Sequence, residues 1–399
     1  MTHINKIQNQ NKSNYSENTD IPSGFESYAQ EMEKNNHLLK EYLKKSKITL
    51  NTNPQTNWRL YGPGLGTACA KAYAMQGILK YHGHADHNWR TAYMPSISIN
   101  NDAAYTITSV SFTEETTSDQ LYINNQQIYD KQLDKVTHLL DFVRELGNSN
   151  KKAIVKSKNI FQGNPLAKGL GTSASAGAAL AKASIGALLG VNAAEDQQLV
   201  SCTARLLSGS AARSAAGGLS LWMSYPGISH RDCFAVRLDI HEELQHLSMI
   251  TIPIMSQIAL KTEDAHASVT SSPFFQQWTK QRSSLIIQCI EAMSQSDLKA
   301  IGQIAEQDSM KLHAVSMTTT NNYPLIAWEP ENIPLFHMCH RLRSQNIPVY
   351  FSIDTGPSIV FLTHTKHQET VMENINMLKL NVEIIPSKIG GPAKLISAD

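Results

Sequence analysis

Apolar and polar positions follow two different periods along this chain, and each change of period marks an element. From Phe25 to about Lys45, residues Phe25, Tyr28, Met32, Leu39, Tyr42 and Leu43 recur at helical spacing, which predicts an amphipathic helix. Its apolar stripe has to be covered, most simply by the rest of the same chain; a partner-binding arm is the alternative. Residues 1–20 are rich in Asn, Gln and Ser, too polar to offset the entropy of ordering, so disorder is expected there. Gly62-Pro63-Gly64 breaks the chain before Ala68 to Leu79, which reads as a strand, and β-rich sequence continues to about Tyr129. Leu133, Val136, Leu140, Val143 and Leu146 mark a helix stopped by Gly147, followed by a strand from Ala153 to Phe161. Asn192-Ala-Ala-Glu195 has the spacing of a capping box, with Asn192 as N-cap of a helix to about Leu207. Two helices, about 273–295 and 297–314, precede an alternation of helix and strand at 332–345, 348–353, 358–363, 366–378 and 380–386. That order predicts a split β-α-β layer.

Between the strand ending at Phe161 and an Ala-rich run lies Pro165-Leu-Ala-Lys-Gly-Leu-Gly-Thr-Ser-Ala-Ser-Ala-Gly177. Gly169 and Gly171 allow backbone conformations closed to other residues, so successive amides can turn toward one anion at the start of a helix. Thr172, Ser173 and Ser175 add hydroxyl donors. The stretch reads as a phosphate-binding loop, the alternative being a buried Ala/Gly helix with a tight entry turn. No Gly-Lys-Ser/Thr closes it, and it lies far from the N-terminus, so it fits neither common nucleotide loop.

Composition narrows the class further. A chain of 399 residues with 41% hydrophobic residues can bury a large core as one large or two fused domains. A net charge of +1 leaves no global field to recruit nucleic acid or an anionic membrane, so neither is an expected partner. The five cysteines are odd in number and show no CxxC pairing, which fits a reducing cytoplasm. No apolar run approaches transmembrane length, and the first residues lack a signal-peptide core.

The loop resembles the P-x-x-x-G-L-G-S-S-A motif of the GHMP small-molecule kinases, and further motifs resemble one branch, the diphosphomevalonate decarboxylases. Ser208-Gly-Ser-Ala-Ala-Arg213-Ser-Ala-Ala-Gly-Gly218 is similar to the branch's S-G-S-A-C-R-S-x-x-G-G, with Ala212 where it has cysteine. Lys80-Tyr-His-Gly83 resembles K-Y-W-G, and Thr262, Ala267-Ser-Val269 and Ser272-Pro273 resemble its substrate-loop region. His313-Ala314, Tyr323-Pro324, Phe351-Ser-Ile-Asp354-Thr-Gly-Pro357 and Ile389-Gly-Gly-Pro392 follow in the same order, so the resemblance spans roughly residues 58–396. It implies an α+β, two-lobed GHMP kinase-like fold with a ribosomal protein S5-like N-terminal lobe and a ferredoxin-like C-terminal lobe. The corresponding division is 1–57 as extension, 58–245 as first lobe and 246–399 as second, with the site in the cleft.

Removing carbon dioxide from a saturated 3-hydroxy acid is difficult, because no adjacent carbonyl or imine holds the electrons left behind. Phosphorylating the C3 hydroxyl makes it a leaving group. Such a site needs a nucleotide-phosphate cradle, a carboxylate near the hydroxyl, a cation for the substrate carboxylate and donors for the substrate's own phosphate. The resemblance assigns catalysis to Asp354, Lys80 and Arg213. It assigns substrate binding to Tyr81, His82, Gly83, His84, Ser208, Gly209, Ser210, Ala211, Ala212, Arg213 and Thr262. ATP, with Mg2+, falls to Gly169, Leu170, Gly171, Thr172, Ser173 and Ala174. On local grounds Asp354 is equally an Asx-turn before Gly356-Pro357, Arg213 a surface arginine near a helix end, and Lys80 an exposed lysine at a strand end.

Departures from the pattern fall at the substrate's 5-phosphate. His82 and His84 replace a tryptophan and a lysine, Met75 replaces an asparagine, and a diphosphate-binding arginine of some members is replaced near Gln120. His82, His84 and His87 form an H-x-H-x-x-H run, but no cysteine or clustered carboxylate completes a zinc site; a sometimes-protonated His84 donating to phosphate is the preferred reading. The expected activity is ATP-dependent decarboxylation of diphosphomevalonate to isopentenyl diphosphate. The alternatives are a decarboxylase of mevalonate 5-phosphate or of mevalonate 3,5-bisphosphate, a mevalonate 3-kinase, and a metabolite sensor. A homodimer is left open.

Overall fold

A computed structural model of the chain describes residues 19–46, 48, 57–162, 170–239, 244, 246–256, 266–320 and 325–397. Gly169, Thr262 and the Tyr323-Pro324 pair therefore lie outside the described residues. The predicted amphipathic helix is α1, Glu26–Lys45, which buries Ala29, Met32, Asn36, Leu39 and Leu43 against the chain's own body. Disorder was expected through residue 20, yet Thr19 donates its hydroxyl to the Ile228 carbonyl at 2.7 Å and the Asp20 amide donates to Asp86 at 3.0 Å. These two partners fix the chain ahead of α1; residues 1–18 lie outside the description.

The first lobe centres on two long antiparallel strands, β1 (Thr67–Leu79) and β4 (Ser96–Thr113). Between them lies a short hairpin of β2 (His84–Asp86) and β3 (Thr91–Ala92). β5 (Gln120–Ile123), β6 (Gln126–Ile128), β7 (Lys152–Phe161), β8 (Leu219–Trp222) and β9 (Ala235–Arg237) extend the sheet. Helix α2, Lys131–Leu146, ends at Gly147 as expected, although the left-handed residue there is Asn148 at φ 46°. Helix α3, Thr172–Leu189, runs through the core with almost all its small side chains buried. That is why its sequence shows no amphipathic stripe: both sides face protein.

After α4 (Val191–Glu195), helix α5 (Gln197–Arg205) is capped by Asp196, whose carboxylate accepts the Leu199 amide. The Asn192–Glu195 capping box does not form. Glu195 pairs with Lys182 of α3 at 2.9 Å instead, a tertiary partner outweighing a local one. Helix α6, Ala211–Ala216, follows.

In the second lobe, β10 (Leu247–Ile252), β11 (Val349–Ile353), β12 (Ile359–His364) and β13 (Ile385–Ser387) form a sheet in the order β11-β12-β10-β13, every pair antiparallel. Helices α7 (Phe275–Lys280), α8 (Arg282–Ser294), α9 (Leu298–Met317) and α10 (Asn332–Ser344) separate β10 from β11, and α11 (Gln368–Met377) separates β12 from β13. This is the predicted split β-α-β layer, a ferredoxin-like sheet. The predicted helix over 273–295 is broken at Gln281 into α7 and α8. Strand β14, Lys394–Ile396, then returns to pair with β1. The Gly390-Gly391-Pro392 turn packs on Gly217, where a Cβ would come 2.2 Å from the Pro392 nitrogen, so the last motif binds the two lobes together.

Candidate active site

The end of β1 meets the end of β11 at the lobe boundary, and the chemistry gathers there. Lys80, the residue after β1, is 2% exposed. Its ammonium donates to Asp354 Oδ1 at 2.6 Å, to Ser352 Oγ at 2.6 Å and to the Gly77 carbonyl at 2.7 Å. The Lys80 and Asp354 side chains therefore form an ion pair, and neither the turn reading of Asp354 nor the surface reading of Lys80 describes them. Burial pulls the Lys80 ammonium below the usual lysine range, against the opposing charge of Asp354. Ser352 passes its own proton to the Gly77 carbonyl at 2.6 Å and accepts from Gln76 at 2.9 Å. Gly77 has to be glycine: a Cβ would sit 2.9 Å from both Asp354 Oδ1 and Lys80 Cδ. Its amide faces the Asp354 carboxylate at 3.3 Å.

Arg213, on α6, is equally buried but differently partnered. One guanidinium nitrogen donates to Ser96 Oγ at 2.5 Å and the other faces Met75 Sδ at 3.4 Å, while the plane lies 5.1 Å from the Tyr81 ring centre. Among the described residues it makes no ion pair. A buried guanidinium with such partners can take up a carboxylate, since an uncompensated charge in this setting favours an anionic partner. Burial lowers its pKa.

Both cations border a cavity of about 340 Å3 whose wall includes Lys80, Tyr81, Arg213 and Asp354 together with Leu170, Gly171, Thr172, Ser173, Ser208 and Ser210. The loop and substrate motifs, separate in sequence, thus open on one space. Gly171 caps α3 at φ 68° with no side-chain cap, and a Cβ there would lie 2.3 Å from the Met75 carbonyl. A helix start without a side-chain cap is the kind of place where backbone amides can receive an anion. Thr172 and Ser173 also line a second cavity of about 290 Å3 with Leu121, Ile123, Val136 and Val155, apolar enough for a nucleoside. Gln120 belongs to the β5 segment on this side. Gln120 itself lines neither cavity.

Several assigned residues stand behind the wall and do not border the cavity: His82, Gly83, His84, Ala174, Gly209, Ala211 and Ala212. Gly209 admits the Tyr81 hydroxyl, which a Cβ would meet at 2.9 Å. Sequence reasoning missed Gly77, Ser352 and His266. Gly77 and Ser352 lay inside or beside quoted motifs, but nothing local signals that they cross between lobes. His266 borders the cavity, stacks on Tyr81 at 5.5 Å and accepts the Gly83 amide at 2.8 Å on Nδ1. The rings of His82 and His84 each lie 4.5 Å from it. Burial pushes His84 down to about 3 and His82 and His266 well below the ordinary histidine value, with Arg90 pressing His84 and His266 in the same direction. A sometimes-protonated His84 at pH 6–7 is therefore overturned. Desolvation is the reason.

The geometry has counterparts elsewhere. Residues 72–235 match the diphosphomevalonate decarboxylase-like N-terminal domain, and residues 259–391 the mevalonate 5-diphosphate decarboxylase C-terminal domain. The chain is 32% identical to a phosphomevalonate decarboxylase of Haloferax volcanii over 82% of its length and 97% of the relative's. It is 29% identical to a mevalonate 3,5-bisphosphate decarboxylase of Thermoplasma acidophilum over 77% and 73%. A solved structure concerned with the mevalonate diphosphate-mediated ATP binding mechanism of the mevalonate diphosphate decarboxylase of Enterococcus faecalis superposes with a TM-score of 0.74 at 28% identity, over 83% of this chain and 99% of that one. Two lobes, each matching its own half of the same enzyme, place this chain in the diphosphomevalonate decarboxylase family of the GHMP kinase superfamily.

Proposed function

We propose that the protein decarboxylates mevalonate 5-phosphate in an ATP-dependent reaction. The observation that carries this reading is the side of the cavity at Tyr81, where His266 borders the space and His84, at the position that holds a lysine in the family pattern, is a buried neutral imidazole packed behind it. A diphosphate carries more negative charge than such a wall offsets; a monophosphate suits it better. The Haloferax volcanii relative supports the same choice. Diphosphomevalonate, the expectation from the motifs, stands as the second reading, supported by the Enterococcus faecalis neighbour. The open first turn of α3 argues against a reaction that uses no nucleotide.

Gly171, Thr172 and Ser173 would hold the nucleotide phosphates and the Mg2+ that accompanies them. When bound, ATP supplies the phosphoryl group that makes the C3 oxygen a leaving group. Asp354 aligns the C3 hydroxyl and takes its proton as oxygen bonds to phosphorus, and Lys80 steadies the charge between them. Arg213 grips the C1 carboxylate with two parallel hydrogen bonds. The C1–C2 bond then breaks, its electrons form the C2–C3 double bond, and phosphate leaves with the C3–O pair. Tyr81, Ser208, Ser210 and His266 receive the substrate phosphate. The test is product analysis with mevalonate 5-phosphate, diphosphomevalonate and mevalonate 3,5-bisphosphate, each with and without ATP. Isopentenyl phosphate, ADP and phosphate in equal amounts from the first supports the reading; turnover confined to the second or third overturns it.

A further inference from the structure

Residues 19–45 precede the stretch that the family match covers, yet they touch three supports of the substrate half of the cavity. The first is the β2–β3 hairpin. Asp86 accepts the Asp20 amide on one carboxylate oxygen at 3.0 Å and the Trp89 amide on the other at 2.8 Å, so the segment grips the hairpin that begins at His84.

The second support lies behind Tyr81. The Phe25 ring sits 4.6 Å from Tyr93 and 6.3 Å from Phe275, in an apolar cluster that includes Val269 and Leu312 and carries Tyr81 on its edge. Val269 in turn presses on Gly83, where a Cβ would lie 2.5 Å from its methyl carbon. Tyr81 and Leu312 both border the cavity.

The third support is behind Lys80. Helix α1 packs on α8, with Met32 against Ser283, and Asn36 donates to the Tyr225 hydroxyl at 3.3 Å. Arg282, the first residue of α8, pairs with Asp308 at 3.1 Å, and Asp308 accepts the Lys80 backbone amide at 2.6 Å. No residue of this segment lines either cavity, and the three supports just described all stand behind Lys80, Tyr81 and the β2–β3 hairpin, on the substrate side.

We infer that residues 19–45 are a strap that positions the substrate-binding half of the site while leaving the nucleotide half alone. This rests on the two-ligand reading above, though not on which phosphorylated mevalonate is used. The test compares Phe25→Ala with the full-length enzyme by steady-state kinetics and by calorimetric titration of ATP and of whichever phosphorylated mevalonate the wild type turns over. Loosening the wall behind Tyr81 should raise KM and Kd for the mevalonate by about tenfold and leave those for ATP within about twofold, with Phe25→Leu restoring most of the loss. Unchanged constants in the folded variant, or constants for both ligands rising together, overturn the strap. If Phe25→Ala does not fold, Asn36→Ala, which removes one hydrogen bond of α1, decides by the same selectivity. A wild type that turns over no phosphorylated mevalonate would defeat the proposed function itself, which separates the two failures.

Discussion

Two aspartates hold the two ends of Lys80, and they differ in what else can reach them. Asp308 takes the backbone amide at 2.6 Å and is sealed, with its partner Arg282 fully buried and Trp278 donating at 2.8 Å. Asp354 takes the ammonium at 2.6 Å, but its side chain is 18% exposed and borders the cavity. The same pair of charge types is a fixed support in one place and open to the cavity in the other. Access, not strength, separates them. A sealed pair with every oxygen occupied has nothing to offer a ligand, whereas an open carboxylate beside a desolvated lysine can exchange partners as substrate arrives.

The sharpest break of this comparison is Asp354→Asn, which should lower kcat by roughly a thousandfold while the substrate Kd stays nearly constant. Carbon dioxide release and calorimetry read the two sides; near-normal turnover would return Asp354 to a structural part. Asp308→Asn should act the other way. It strands Arg282 in the interior, so denaturant titration should show a loss of about 3–5 kcal/mol, and wild-type stability would show that the sealed pair supports nothing.

Arg213→Lys tests whether the uncompensated guanidinium is a carboxylate clamp. Losing the paired hydrogen bonds to a charged group should lower kcat/KM by about 10- to 100-fold, with little change in melting temperature. Wild-type kinetics would move the clamp elsewhere.

The smallest effect concerns the imidazole wall. Histidines whose folded pKa lies below their unfolded value bind fewer protons folded than unfolded, so their contribution to stability is present above about pH 6.5 and is lost as pH falls toward 3, where His84 and His313 titrate in the folded chain. Unfolding midpoints measured between pH 7.5 and 4.5 should fall, each histidine contributing up to about 1.4 kcal/mol per pH unit. Above about pH 7.5 the midpoint should stay almost flat as far as these histidines are concerned. A midpoint that rises on acidification would show these rings charged in the folded chain.

Much of this was legible in one dimension. Helix α1, strands β1 and β7, helix α2 and the second lobe's order of elements follow from apolar period and turn residues, because those signals act between near neighbours. The loop at Gly171 and the Arg213 and Asp354 motifs could be read for the same reason: each needs its residue types at short spacing. What the sequence could not determine is everything that depends on who is opposite. Asp196 displaced Asn192 as a cap once Glu195 found Lys182 across the fold. Gly77 and Ser352, far apart in sequence, became the two sides of the Lys80 site only when β1 met β11. His84 was read as a phosphate donor because an isolated imidazole titrates near neutrality; tertiary burial among His82, His266 and Arg90 made it a neutral wall. Local propensity and motif spacing are properties of the chain, whereas desolvation, charge pairing and access to a cavity are properties of the packed fold, and those decide chemistry here.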